Sequence, residues 1–113
     1  MITIETLKEF GADTEEGLAR CMGMEDLYIQ LLGTMLDDGN FAKLDAAVEA
    51  GDAVAAFEAA HALKGALGNL SLTPVCDPVT EITERLRGQS EMPDLSDLMP
   101  KYKEALEKLQ SMR

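Results

Sequence analysis

Tryptophan is absent, and the only other aromatic rings are two tyrosines and three phenylalanines. A core must therefore be filled by Leu, Ala, Ile and Met rather than by stacked rings. The two cysteines, Cys21 and Cys76, lie far apart and match no metal-ligand spacing, so they read as reduced thiols. Histidine occurs once. Glu58-Ala59-Ala60-His61 has the E-x-x-H form of a di-iron bundle site, but that site needs the motif twice, and no metal is expected here. No apolar run is long enough to span a bilayer. The start, Met1-Ile2-Thr3-Ile4-Glu5, lacks the basic residues and apolar stretch of a signal peptide. The chain is read as cytoplasmic, with no membrane partner, and Met1 and the tail Ser111-Met112-Arg113 fit a free-standing protein. Bases are scarce too: 10 Lys and Arg stand against 21 Asp and Glu, a net charge of −11 that repels phosphate backbones and argues against nucleic acid.

What is present is a helical vocabulary. Ala, Leu, Glu and Lys dominate, β-branched runs are few, and the class should be all-α. Residues 1–113 fit one domain, with short N-terminal helices over about 3–22 and a bundle over about 24–112. Ile4, Leu7 and Phe10 suggest a short helix ended by Gly11, and Asp13 or Thr14 can cap a second one closed by Gly23. From Met24 the pattern Leu27, Leu31, Leu32, Met35, Leu36 runs to Asp37-Asp38-Gly39-Asn40, then resumes with Phe41, Leu44, Ala47 and Val48 up to Gly51. This is either two helices or one long helix bent at Gly39-Asn40. Asp52 caps the next helix, which runs to about Leu70. Ser71 or Thr73 with Pro74 starts another, with Val75, Val79, Ile82 and Leu86 on one face and Gly88 at its end. Pro93 and Asp94 open the last helix, or Ser96 does if Pro100 interferes; Leu95, Leu98, Tyr102, Leu106 and Leu109 face inward. Amphipathic helices with short connections make an antiparallel four-helix bundle.

The histidine is placed against this pattern. Ala56, Ala60, Leu63, Leu67 and Leu70 form one apolar stripe. At about 100° per residue, His61 projects roughly 160° away from Leu63. Gly65 and Gly68 project to the same side as His61. Each glycine inside a helix costs about 1 kcal/mol relative to alanine. Bare backbone around an exposed imidazole would let another protein's active site come close. Phe57 lies about 120° from Leu63, either as boundary core or as an apolar rim. Met residues read as gap-fillers of the core, and the acidic pairs Glu15-Glu16 and Asp37-Asp38 as solvated or capping residues.

Ala60-His61-Ala62-Leu63-Lys64-Gly65, followed by Gly68 and Leu70, resembles the signature of histidine-containing phosphotransfer (HPt) domains. Glu16-Gly17-Leu18-Ala19-Arg20, followed by Gly23 and a Leu-rich helix, is similar to the N-terminal part of such domains. The resemblance implies a helical bundle that relays phosphoryl groups between receiver-domain aspartates in a multistep phosphorelay. His61 would match the phosphorylated nucleophile, Lys64 the cation that steadies the phosphoryl oxygens, and Gly65 the residue that clears the approach. An exposed imidazole, with a reference pKa near 6.5, is mostly neutral and nucleophilic near neutral pH. No cofactor is expected on this chain; Mg²⁺ and the acidic pocket would belong to the receiver. The chain is then a carrier rather than an enzyme, and with no nearby general base its phosphohistidine should hydrolyse slowly. Partners would be response-regulator receivers or a hybrid histidine kinase, docked over a small apolar patch around Gly65, Gly68 and Phe57, on a monomer. The chain departs from the pattern at Ser71, where many relatives have glycine, and at Thr83, where they often carry Gln or Glu; Thr83 is a weak candidate for contact with the phosphoryl group. Arg85 and Arg87 are candidates for a second basic residue without an assigned place. The competing reading is a non-phosphorylated adaptor or inhibitor bundle that binds receivers or kinases. A small metalloenzyme or cofactor bundle is a third reading, and would carry bound metal.

Overall fold

The computed structural model describes residues 1–113 and is entirely helical. Seven helices follow one another: α1 (Ile4–Phe10), α2 (Thr14–Arg20), α3 (Glu25–Leu36), α4 (Asn40–Ala50), α5 (Ala53–Asn69), α6 (Thr73–Leu86) and α7 (Leu98–Gln110). Their ends follow from local chemistry. Thr3 caps α1 through a capping box with Thr6, and the Asp13 carboxylate accepts from the Glu16 N–H to start α2. The Asp52 carboxylate accepts from the Ala55 N–H at 3.1 Å to start α5, just after Gly51 ends α4 with a left-handed φ of 72°.

The stretch from Met24 to Gly51 is two helices, not one bent helix. Asp37, Asp38 and Gly39 separate α3 from α4, and the Asp38 side chain accepts from the Asn40 N–H at 2.8 Å to start the second. The last helix begins at Leu98, later than either Pro93-Asp94 or Ser96 suggested. The Asp94 carboxylate accepts from the Ser96 N–H, which holds this stretch in a turn, and Pro100 then falls in the first turn of α7, where its missing N–H costs nothing.

Helices α4 to α7 pack in series around a core to which α3 and α1 also contribute. The Gly51-Asp52 turn folds α5 back on α4, the Leu70–Leu72 turn folds α6 back on α5, and α7 packs on α6. The ring closes where Phe41 of α4 stacks on Tyr102 of α7, centroids 6.5 Å apart, with a Lys103–Asp45 ion pair at 4.0 Å beside it. Twenty-six buried hydrophobic residues form a single cluster, hence one core. The predicted stripe of α5 lies in it, with Ala56, Ala60, Leu63 and Leu67 fully buried, and so does the Val75, Val79, Ile82, Leu86 face of α6. Each such leucine contributes about 1.5–3 kcal/mol by leaving water. No helix is long and apolar enough to cross a membrane.

The N-terminal helices close one end of α5. Tyr28 of α3 is fully buried, and its hydroxyl donates to the Leu70 carbonyl at 2.7 Å, satisfying an otherwise open carbonyl at the end of α5. Burial, with smaller contributions from Cys21 and Asp13, pushes this hydroxyl up to about 12, so it stays a donor. Gly17 makes the approach possible: a Cβ there would lie 2.6 Å from the Tyr28 ring. The Asp13 N–H donates to the Ser71 carbonyl at 3.0 Å. Ser71 itself sits at φ 56°, the left-handed region that favours glycine, just beyond the end of α5.

Candidate functional site

His61 lies near the middle of α5, exposed, on the side opposite the buried stripe. Gly65, one turn on, is also exposed, and a Cβ built there would meet nothing within 4 Å. The backbone beside the imidazole is therefore bare. Gly68 is half-buried, with the Cys76 sulfur 3.9 Å from where its Cβ would be. His61, Lys64, Gly65, Gly68 and Asn69 of α5 line an open hollow of about 470 Å³, whose far wall is Glu16 and Arg20 of α2. The lining of this hollow is glycine and polar side chains. The exposed large apolar side chains include Met22, Met24 and Leu31, around the turn from α2 to α3 and on α3.

Phe57 is half-buried, and its ring stacks on the imidazole, centroids 5.6 Å apart and planes 14° apart. The two residues are four apart on one helix face, which brings their side chains together. The Arg87 guanidinium lies 5.2 Å from the Phe57 ring centre, a cation–π contact from the end of α6. Arg87 also donates from Nε and Nη2 to the two oxygens of Glu84, each at 3.1 Å. The Lys64 ammonium lies 3.6 Å from the same carboxylate. Chiefly the Arg87 hydrogen bonds, and less the charges of Arg87 and Lys64, hold the Glu84 carboxyl below the usual carboxylate range.

The assignment of Thr83 to the site is corrected by this geometry. Thr83 is fully buried, and its hydroxyl donates to the Val79 carbonyl at 2.8 Å. Adjacent helical residues point about 100° apart, so when Ile82 and Thr83 face the core it is Glu84 that reaches Lys64. Of the two unplaced arginines, Arg87 belongs beside the site. Arg85 is committed instead to a bidentate pair with Asp97 and to the Asp94 carbonyl. Sequence reasoning missed Glu16 and Arg20 as neighbours of His61. They lay in a segment that resembles the family's N-terminal part, and their spacing of four residues forms a salt bridge at 3.0 Å, but neither says what the helix faces. No three His, Cys, Asp or Glu side chains are placed to hold a metal ion together.

The chain matches the family model of the Hpt domain over residues 26–112. It belongs to the Hpt domain family. The match takes in α3 to α7 and all of the helix bearing His61, while α1 and α2 precede it. No curated protein and no solved structure gives a significant match. Hpt domains carry phosphoryl groups in two-component phosphorelays and interact there with receiver domains and histidine kinases.

Proposed function

We propose that this Hpt domain accepts a phosphoryl group on His61 from the phosphorylated aspartate of a receiver domain and passes it to another. The observation that carries the reading is an exposed imidazole flanked one turn on by a glycine with open space around it, with an ammonium beside both. Phosphoryl transfer asks mainly for positioning and for neutralisation of charge on the transferred oxygens. The Nε2 lone pair of neutral His61 attacks phosphorus, the bond from phosphorus to the aspartyl oxygen breaks, and aspartate leaves as a carboxylate. In the onward step an acceptor aspartate attacks, the phosphorus–nitrogen bond breaks, and the imidazole leaves neutral.

Lys64 supplies charge and donors to the phosphoryl oxygens. Glu84 keeps it near the site, and Phe57 holds the imidazole by stacking. The receiver supplies Mg²⁺ and the acidic pocket, and this chain supplies the nucleophile, the cation and an unobstructed face. The chain works in the cytoplasm as a monomer, and partner affinity is modest, because a relay must exchange partners.

The test is incubation with Mg²⁺ and a receiver domain phosphorylated on aspartate. Acid-labile label is expected to move to this chain, and His61→Gln is expected to take up none. Label on His61→Gln would overturn the reading. Pathway signalling retained by His61→Ala would instead select a non-phosphorylated adaptor that uses the same face.

A further inference from the structure

His61 has a second cation for a neighbour, contributed by a helix outside the span that matches the family. Arg20 of α2 borders the same hollow as His61, Lys64 and Gly65. Its Nε and Nη2 donate at 3.3 and 3.0 Å to one oxygen of Glu16, so Nη1 keeps its donors free. Both side chains of this pair are half exposed, and such a pair is held weakly and exchanges partners readily. A phosphoryl group on His61 would bring about two negative charges into the hollow. Lys64, which is shared with Glu84, balances only part of that charge. A guanidinium fork suits phosphoryl oxygens better than it suits a single carboxylate oxygen.

We infer that Arg20 is a second phosphoryl-binding residue, tethered by Glu16 in the resting protein and released to the phosphoryl oxygens once His61 carries the group. This rests on the reading that His61 is phosphorylated. Phosphoramidate can load the isolated chain without any docking: the bond from Nε2 to phosphorus forms, the phosphorus–nitrogen bond of the donor breaks, and ammonia leaves. The Arg20 Nε–H resonance is then expected to shift in the wild-type chain and to stay in place in His61→Gln. The equilibrium partition of label between this chain and a receiver does not depend on how well the two dock. Arg20→Ala should move it about tenfold toward the receiver, Arg20→Lys should recover part of the loss, and Glu16→Gln should move it toward the chain. If the wild type is labelled on His61 while its Arg20 Nε–H resonance stays in place, or while Arg20→Ala leaves the partition unchanged, this inference alone falls. If the wild type takes no label from either donor, the phosphotransfer reading falls and takes this inference with it.

Discussion

On its α6 side, α5 is tied by side chains that reach its exposed face: Lys64 meets Glu84, and Arg87 covers Phe57, which in turn backs His61. On its α2 side no such ties exist. Glu16 and Arg20 close on each other, α2 is anchored beyond the end of α5 by the Asp13–Ser71 backbone bond, and a hollow is left open beside His61. A phosphoryl carrier gains from both arrangements. In the proposed role the tied side would hold nucleophile and cation in place, which lowers the entropy lost when the reacting atoms meet. In that role the open side would leave room for the phosphoryl donor.

Two glycines show a parallel contrast, one filled and one open, and their substitution should act in opposite directions. Gly17 is filled by its neighbour: a Cβ would lie 2.6 Å from Tyr28 Cζ and Oη, on a ring held in place by the bond to Leu70. Gly17→Ala is expected to destabilise the fold by about 2 kcal/mol through overpacking, read from chemical denaturation. Gly65 has nothing near it. Gly65→Ala should stabilise the chain by about 1 kcal/mol through helix propensity, while slowing phosphoryl uptake from a receiver. A gain in stability with unchanged uptake would show that the bare backbone is not what admits the partner.

The smallest effect concerns the tied side alone. Arg87 is the main reason the Glu84 carboxyl sits below its ordinary range. Because the folded value is the lower one, what this charge contributes is present above the ordinary carboxylate range and is lost as pH falls through the folded value. Arg87→Ala should move the Glu84 titration, followed by carboxyl carbon NMR, back up toward the ordinary range, with little change in stability, since the group is exposed.

Legibility differed from helix to helix. The buried stripe of α5, its Asp52 cap and the outward direction of His61 could be read from spacing, because they depend on the period of one helix. The start of α7 was less legible: Pro93 and Asp94 carry helix-start chemistry but lie before a turn at Ser96-Asp97, and the helix waits for Leu98. Tyr28 gave no sign in sequence that its hydroxyl would reach Leu70, forty-two residues away. Thr83 failed by a single position. It was chosen by the family resemblance, but the rotation of α6 put Thr83 in the core and Glu84 at Lys64.

The sequence by itself determined the helical class, the single apolar stripe of α5 and the projection of His61, Gly65 and Gly68 to one side away from it, all set by the backbone within a few turns. Only the tertiary structure decided which residues of other helices stand beside that face: Glu84 and Arg87 from α6, Glu16 and Arg20 from α2. The reason is geometric. A helix's own period fixes the angles between its side chains, whereas its rotation against a neighbour is set by how two sets of side chains interlock. A turn of 100° there replaces one residue at the site by the next.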